Sequence, residues 1–288
     1  MKRIINKPTA WLLTGLAMTL SLSSCLKKYD AADYDPSKPF GGYNSSKEIA
    51  PNNLVAYWAF NGGLTDSAGG LTGTNVGTTF AGGKKGQALQ VGGSNYFLFN
   101  NVGTVLPNLK AFTVSFWMNA PQNTSFAYGV FSLNNPNDFW GSLDVYLDNG
   151  STPDTAQFRV HFNSGGIGEF IGAKLGGAWG KWVHIAVTYD SSRTVSSSNL
   201  NIYANGSSIY SALLKNGSAN LGPLQFPGPT KMVIGSWQFQ TNPSLTNSAT
   251  AQPWAGSFGG ALDEFRIYNK ALKPGDVSAL FKLEAAGR

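Results

Sequence analysis

Alternation of apolar and polar side chains along short segments is the feature that most constrains the fold of this chain. The pattern runs through residues 112–119, 143–148, 158–162 and 182–188. Successive side chains of a β-strand point to opposite faces, so each segment is predicted to bury its apolar row and to expose the other. An Asn-Gly dipeptide at 205–206, between two further β-rich segments, is typical of a tight hairpin. The sequence therefore predicts an all-β, antiparallel protein.

Composition favours one large folded domain and excludes one class of partner. The chain has 288 residues, of which 42% are hydrophobic and only 12% are charged, so a disordered protein is not expected. All-β sandwiches reach roughly 200–250 residues as one domain. The net charge is +6, but three basic residues and no acid fall in the first 24 positions, which leaves +3 for the rest. The longest basic run of the remaining chain is two lysines, so nucleic acid is not a predicted partner.

Residues 1–24 have the composition of a signal peptide. Basic residues precede an apolar stretch at 11–22 that is too short to span a membrane stably. The sequence Leu-Ser-Ser-Cys that ends at Cys25 resembles the lipobox of bacterial lipoproteins, which implies cleavage before Cys25 and a diacylglyceryl thioether on its sulfur. Cys25 is the only cysteine, so no disulfide within the chain is predicted. The alternative is an ordinary secretory signal followed by an unmodified cysteine.

Residues 25–50 are predicted to be the lipidated cysteine and a flexible tether, and residues 51–288 to be one domain. The tether is rich in Pro, Gly and Ser. Two or three acyl chains, such as palmitate, would attach it stably to a membrane. Position 26 is Leu and not the Asp that favours inner-membrane retention, so the outer membrane is the predicted location. The acid-rich run at 27–35 resembles the export tether of Bacteroidota surface lipoproteins.

The segment 259–272, Gly-Gly-Ala-Leu-Asp-Glu-Phe-Arg-Ile-Tyr-Asn-Lys-Ala-Leu, is the most distinctive motif of the chain. Simple alternation places Asp263, Phe265 and Ile267 on one face, so the carboxylate of Asp263 is predicted to begin a core-facing row. A buried carboxylate is costly without a partner, and a bound cation is the predicted one. A short C-terminal helix is predicted after Pro274.

This motif resembles the closing strand of laminin-G-like (concanavalin A-like, pentraxin-like) jelly-roll domains. Three further stretches resemble the family in the expected order: Leu-Val-Ala-Tyr-Trp-Ala-Phe at 54–60 with a loop at 61–70, Ala-Phe-Thr-Val-Ser-Phe-Trp at 111–117, and Lys-Trp-Val-His-Ile-Ala-Val-Thr-Tyr-Asp at 181–190. The resemblance implies a two-sheet antiparallel jelly-roll sandwich with a short C-terminal helix. It leaves the function open, because one fold carries many functions.

The resemblance also implies a structural calcium ion. Asp66 and the carbonyls around Gly69 and Gly70 would join Asp263 as its ligands, and oxygen ligands of this kind suit Ca²⁺. The family pattern is Asp-x-Ser-Gly-Asn-Gly, whereas this chain has Asp-Ser-Ala-Gly-Gly at 66–70 and lacks the Asn. The alternative is a turn that Asp66 caps.

The polar rows of the predicted strands suggest a glycan-binding surface, if they share one concave sheet. Aromatic rings pack on the C–H groups of sugars, while carboxylates, Arg and His hydrogen-bond the hydroxyls. The predicted ligand-binding residues, including two tryptophans from long loops, are Trp117, Asp144, Tyr146, Arg159, His161, Trp237 and Trp254. Asp148 belongs to the same row, Trp182 and His184 are further candidates, and His184 is read as structural. The alternative is a solvated sheet face with ordinary pairs such as Asp148 with Arg159.

Catalytic signals are weak. Glycoside hydrolysis needs two carboxyl groups roughly 5–9.5 Å apart, and the four glutamates do not form the Glu-x-Asp-x-x-Glu motif of laminarinase-type hydrolases. Asp144 and Asp148 would be about 13 Å apart along a strand, which leaves Asp144 with Glu169 as an open pairing. Two histidines and one lipidated cysteine leave little for a triad or a zinc site.

The leading prediction is a non-catalytic, outer-membrane-anchored carbohydrate-binding module that captures polysaccharide for an uptake complex. One alternative is a glycoside hydrolase or polysaccharide lyase that uses Asp144, Glu169 or Tyr146. Another is an adhesion module that binds proteins.

Overall fold

The computed structural model describes residues 38–288 with the exception of 193, 195, 197 and 198. The predicted signal peptide, Cys25 and the first part of the predicted tether lie outside the described residues. In the described part of the chain, no helix is long and apolar enough to cross a membrane.

Strands dominate the described chain, and one α-helix closes it. The strands are β1 Leu54–Trp58, β2 Thr74–Val76, β3 Thr79–Gly82, β4 Gln87–Gln90, β5 Tyr96–Phe99, β6 Phe112–Asn119, β7 Ala127–Leu133, β8 Leu143–Thr152, β9 Thr155–Ser164, β10 Ile167–Gly176, β11 Trp182–Tyr189, β12 Leu200–Ala204, β13 Ser207–Ala212, β14 Lys215–Asn216, β15 Ala219–Asn220, β16 Met232–Ile234, β17 Ala255–Ser257 and β18 Ala261–Tyr268. The helix α1 is Pro274–Ala285, and short 3₁₀ turns lie at Ser46–Glu48, Pro51–Asn53 and Leu106–Asn108.

Sixteen of these strands form two eight-stranded sheets that make a sandwich, as the sequence predicted, and β14 pairs with β15 in a separate hairpin. The helix-side sheet, named for the helix on its outer face, has the order β13-β12-β11-β6-β18-β4-β3, with β1 pairing to β18. The loop-side sheet has the order β10-β9-β8-β7-β16-β5-β2, with β17 pairing parallel to β7. The other pairings of these sheets are antiparallel.

The inner faces of both sheets form one core rich in aromatic rings. Phe265 of the helix-side sheet stacks on Phe116 at 5.3 Å between ring centroids and contacts Phe131 of the loop-side sheet at 5.5 Å. Trp58 and Phe99 are likewise fully buried, with centroids 5.0 Å apart. Burying a large side chain of this kind contributes about 1.5–3 kcal/mol to folding, which explains why the alternating segments pair face to face.

A β-bulge in β18 overturns the predicted alternation of the closing motif. Asp263 pairs with Trp117, but Arg266 pairs with Ser115, so β18 has one more residue than β6 between these pairs. Glu264 takes a φ of +50°, in the left-handed region. The extra residue puts both Leu262 and Phe265 into the core. The prediction that Asp263 begins a core-facing row was therefore wrong.

Helix α1 covers the outer face of the helix-side sheet. Its Leu280 and Leu283 pack with Tyr203 and Tyr268 in a separate buried apolar cluster. Residues 38–50, which are the described part of the predicted tether, lie against the same helix. Ile49 is buried in this cluster. The Tyr43 hydroxyl donates to Asp276 on α1 at 2.9 Å.

A buried ion network joins α1 to the sheet. The Arg266 guanidinium lies 2.8 Å from Glu264 Oε2 and contacts the Glu284 carboxylate of α1. The same Glu264 oxygen accepts the Tyr57 hydroxyl at 2.8 Å, and Glu284 Oε2 accepts Trp117 Nε1–H at 2.8 Å. Both carboxylates and the guanidinium are at most 1% exposed. Such a network specifies how the helix docks, because a buried charge without a partner is costly.

Candidate functional site

The predicted ligand-binding residues do not share one sheet. Trp117, with Trp182 and His184, lies on β6 and β11 of the helix-side sheet, whereas Asp144 to Asp148 and Arg159 to His161 lie on β8 and β9 of the loop-side sheet. Trp117 is only 2% exposed, and its ring lies 5.6 Å from Phe281 of α1. The prediction of Trp117 as a ligand contact was wrong, because the helix covers the face on which it lies.

His184 has a structural environment. It is fully buried beside Trp117, and its Nε2 lies 2.9 Å from Ser115 Oγ. Burial, with the Arg266 guanidinium nearby, lowers the pKa of His184 to about 3. The imidazole is therefore neutral at ordinary pH.

The outer face of the loop-side sheet carries a continuous group of rings, here called the aromatic cluster. Its members come from β8, β10 and two loops, at 134–142 and 235–254; they are Phe139, Trp140, Tyr146, Phe170, Trp237, Phe239 and Trp254. Trp140 is the central ring, with centroids 5.2 Å from Phe170, 5.8 Å from Trp237 and 6.1 Å from Trp254.

The rings of the cluster differ in what they offer to a ligand. Trp237 is fully buried and donates its Nε1–H to the Ala127 carbonyl at 3.0 Å. It therefore forms the buried base on which the other rings pack. Trp140 and Trp254 are half-buried, and Phe170 is 52% exposed. Exposed ring faces next to a buried base are what a stacking surface needs.

Buried amide side chains fix the two loops that carry the cluster. Gln238 accepts the Asn135 amide at 2.7 Å and donates to the carbonyls of Asp138 and Phe139, both at 2.9 Å. Asn134 donates to the Leu245 carbonyl at 3.0 Å. These bonds cross from one loop to the other, so the rings are held before any ligand arrives.

Beside the rings lies a buried polar pair, Asp144 and His161. One Asp144 oxygen lies 3.1 Å from His161 Nδ1 and accepts the Gly141 amide at 2.8 Å, while the other accepts the Ser132 hydroxyl. Asp144 is 1% exposed and His161 is 2% exposed. The His161 ring lies 4.4 Å from Phe170 and 5.7 Å from Trp140, between centroids.

Arg159 and Asp148 form an ion pair at the edge of this face. Arg159 Nε lies 3.0 Å from Asp148 Oδ2, and both side chains are partly exposed. Gly172 on β10 leaves room for the guanidinium, since a Cβ there would come within 2.4 Å of Arg159 Nη1. The pair that the sequence suggested is therefore present, and it adds donors and acceptors beside the rings.

The structure separates Asp144 and Glu169, the two carboxylates that the sequence left as a possible catalytic pair. Glu169 pairs with Phe162, whose side chain is in the core, whereas Asp144 pairs with His161 on the outer face. Directly opposed residues of a sheet point to the same side, so the two carboxylates lie on opposite faces.

Burial raises the pKa of Tyr146 well above its ordinary value, and the charges of Asp148 and Asp144 add to the shift. Tyr146 is therefore a poor general base.

The residues predicted to bind calcium make other contacts. The Asp66 carboxylate accepts the amides of Tyr57, Ala68, Gly69 and Leu71 at 2.8–3.1 Å. Four N–H groups that point at the carboxylate do not fit a cation ligand, and they match the alternative of a turn cap.

Asp263, the other predicted calcium-binding carboxylate, accepts the amides of Lys85 and Glu264, both at 2.8 Å. Burial raises the pKa of this carboxyl to about 7. Among the described residues there is no group of three or more His, Cys, Asp or Glu that could hold a metal ion. The calcium site stays a prediction.

Comparison with known proteins agrees with the fold. Residues 91–278, more than half of the chain, match the family model described as the concanavalin A-like lectin/glucanases superfamily. The chain belongs to this family. No curated protein matches the chain.

Solved structures also match the chain. Domain 4 of AbnA, an extracellular arabinanase from Geobacillus stearothermophilus solved with arabinotriose, is 22% identical, with a TM-score of 0.54 over 79% of this chain and 98% of that one. Botulinum neurotoxin type C is 14% identical, with a TM-score of 0.57 over 83% and 53%. Trypanosoma rangeli sialidase, solved with difluorosialic acid, is 13% identical, with a TM-score of 0.53 over 86% and 35%. The chain thus covers about half of the matched toxin chain and a third of the matched sialidase chain, and at these identities the likeness shows the fold.

Sequence reasoning found part of the surface that this concanavalin A-like sandwich presents. The structure brings together six of the seven predicted ligand-binding residues: Asp144, Tyr146, Arg159, His161, Trp237 and Trp254. It adds Phe139, Trp140, Phe170 and Phe239, which were missed. The dipeptide Phe-Trp after the polar run Asn-Asn-Pro-Asn-Asp at 134–138 was the available signal for two of them.

Proposed function

We propose that this protein is a non-catalytic carbohydrate-binding module, anchored to the outer membrane and serving polysaccharide capture for an uptake complex. The observation that carries the proposal is the aromatic cluster on the outer face of the loop-side sheet. Phe170 is exposed, Trp140 and Trp254 are half-buried, and the Arg159–Asp148 pair lies on the same side of the sheet.

The chemistry of this surface suits a sugar chain. The faces of sugar rings carry C–H groups that pack on aromatic rings, and their hydroxyls need directed donors and acceptors. Arg159 supplies donors, and Asp148 supplies acceptors. Because Gln238 holds the loops in place, a ligand does not need to order them, which preserves affinity.

Three observations support a binding role over catalysis. Asp144 is buried and is surrounded by the donors of Ser132, Gly141 and His161, so it has no free access to a glycosidic bond. Glu169 is on the other face of the sheet. A hydrolase of the ordinary kind needs two carboxyl groups on either side of one bond, and the raised pKa of Tyr146 disfavours a lyase base.

The solved neighbours support glycan binding by analogy. The arabinanase domain was solved with arabinotriose, the sialidase with a sialic acid derivative, and entry of the toxin into cells depends on two ganglioside molecules. The descriptions of these three proteins name three different sugars, which supports the class of ligand and leaves its identity to experiment.

The membrane anchor is proposed from the signal-peptide and lipobox sequence that ends at Cys25. Lipidation at Cys25 would place the domain on a membrane, and the tether sequence favours the outer one. In cells that process lipoproteins, we expect Cys25→Ala to move the protein from the membrane fraction to the soluble fraction. A variant that stays in the membrane fraction would contradict the anchor and leave glycan binding untouched.

A polysaccharide panel tests the proposed function. The purified protein is run in affinity gels that contain neutral and acidic polysaccharides, and the same mixtures are assayed for new reducing or unsaturated ends. We expect retardation by at least one polysaccharide without new ends. New ends would establish an enzyme, and neither retardation nor new ends would favour a protein-binding adhesion module.

A further inference from the structure

The outer row of the edge strand β10 has a gap beside the aromatic cluster. Phe170 projects from this row and contacts the His161 ring, with centroids 4.4 Å apart. Two positions earlier, Gly168 has no side chain and is exposed. A Cβ at Gly168 would meet one atom within 4 Å, His161 Nε2 at 3.8 Å. The gap therefore opens directly beside this nitrogen.

His161 presents that nitrogen in a fixed orientation. The Asp144 carboxylate, 3.1 Å from Nδ1, can only accept a hydrogen bond, so Nδ1 carries the proton. In the neutral imidazole Nε2 is then an acceptor. The His161 side chain is only 3% exposed, and Nε2 has no hydrogen-bond partner within the described part of the chain. A buried ring with one free acceptor beside an open space is the arrangement of a binding group.

A second acceptor lies on the same side. Asn163 is the cross-strand partner of Gly168, and its Oδ1 is buried without a partner among the described residues. Its amide nitrogen points to Asp138 Oδ2 at 3.5 Å. Of these two acceptors only His161 Nε2 lies within 4 Å of a Cβ at Gly168, and an acceptor there favours a ligand group that donates a hydrogen bond.

We propose that the gap at Gly168 is a subsite for one uncharged sugar unit, whose hydroxyl donates to His161 Nε2 while its ring packs on Phe170 and Trp140. The inference rests on the proposed glycan binding and deepens it.

The charges around the gap favour an uncharged sugar. Asp144 holds a negative charge behind His161, and the Arg159 guanidinium is already paired with Asp148. Lys174, farther along the same row, is separated from the gap by Phe170 and Gly172. A sugar carboxylate would bring a second anion toward Asp144 and has no proton to donate to Nε2, so a uronate is disfavoured.

Filling the gap tests the subsite without disturbing Asp144 or His161. Gly168 and Gly176 lie on the same row of β10, both are exposed, and neither has a positive φ. Nothing lies within 4 Å of a Cβ at Gly176, so Gly176→Leu is the matched control. The probes are arabinotriose, maltotriose, xylotriose and trigalacturonate, measured by calorimetry or tryptophan fluorescence with wild type, Gly168→Ala, Gly168→Leu and Gly176→Leu.

We expect at least one neutral trisaccharide to bind the wild type more tightly than trigalacturonate. Gly168→Leu should weaken that binding about tenfold, the effect of losing a hydrogen bond, with Gly168→Ala intermediate and Gly176→Leu unchanged. Equal binding by Gly168→Leu and wild type would overturn the subsite while glycan binding stands. Tighter binding of trigalacturonate would overturn the uncharged ligand. Failure of the wild type to bind any probe or any polysaccharide of the panel would overturn the proposed function and the subsite with it.

Discussion

Truncation of Glu284 to alanine is expected to destabilise the protein strongly. Glu284 extends from α1 onto the helix-side sheet, where it is fully buried. Its carboxylate contacts the Arg266 guanidinium and accepts Trp117 Nε1–H at 2.8 Å. In the variant, Arg266 keeps Glu264 as its ion partner at 2.8 Å, and Trp117 Nε1 loses its acceptor.

The magnitude follows from the burial of these groups. Removing one partner of a buried ion pair costs about 3–5 kcal/mol, because the other charge stays buried without full compensation. A buried donor without an acceptor costs about 1–3 kcal/mol more. The two costs overlap, since water can enter the space that Glu284 leaves. We therefore expect the free energy of unfolding to fall by at least about 3 kcal/mol.

Urea unfolding followed by tryptophan fluorescence measures this loss. With a slope near 3 kcal/mol per molar urea, the midpoint should fall by about 1 M at an unchanged slope. Glu284→Gln keeps an acceptor for Trp117 but removes the charge, so its loss should be intermediate. Lys282→Ala is the matched control, because Lys282 is exposed on the same helix, and it should change stability by less than about 0.5 kcal/mol.

Two results would refute the reasoning. One is an unfolding free energy for Glu284→Ala within about 0.5 kcal/mol of the wild type. The other is an equal loss in Lys282→Ala, which would mean that the loss does not depend on the buried pair, since alanine has the higher helix propensity.

Three further predictions follow from the same contacts. The pKa of His184 is about 3 in the folded state and near 6.5 when unfolded, so the unfolded state binds the proton first as the pH falls. In urea melts the unfolding free energy should therefore fall by about 1.4 kcal/mol for each pH unit from 6 to 4. His184→Gln should lack this contribution to the pH dependence; Glu284 Oε2 lies 3.7 Å from His184, but that carboxylate is already paired with Arg266. Gln238→Ala should weaken glycan binding several-fold in calorimetry, because the loops that carry the aromatic cluster lose their cross-bonds, and unchanged affinity would contradict a positioning role. In thermal melts Asp66→Ala should lower the Tm, because four amides lose their acceptor. A rise of the wild-type Tm with added calcium would support the calcium ion predicted from the sequence, and an unchanged Tm would support the turn cap.

Periodicity predicted which side of each strand faces the core, and it failed where the backbone departs from a regular strand. Along β8 and β9 the outward residues are those that alternation indicated, from Asp144 to His161. In β18 the bulge at Asp263 and Glu264 breaks the alternation, so that Leu262 and Phe265 both face the core and Asp263 does not. A bulge needs one residue of unusual φ, and glutamate at that position gives no sign of it in the sequence.

The sequence could not tell which sheet a strand joins. Trp117 and Tyr146 have similar patterns around them, yet β6 and β8 belong to different layers of the sandwich. Sheet membership depends on pairings between distant segments, and alternation carries no information about them. The loop at 134–142 has no periodicity at all, so the central ring of the cluster, Trp140, was found only in the structure.

Glycan affinity of Trp140→Ala against Trp182→Ala is the measurement that tests the central claim most directly. Both tryptophans are half-buried, but Trp140 is at the centre of the aromatic cluster and Trp182 is on the other sheet. On the polysaccharide that retains the wild type, we expect Trp140→Ala to lose about tenfold or more in affinity, as for a central aromatic contact, and Trp182→Ala to bind as the wild type does. Equal affinity of wild type and Trp140→Ala, in a variant that melts normally, would contradict the account.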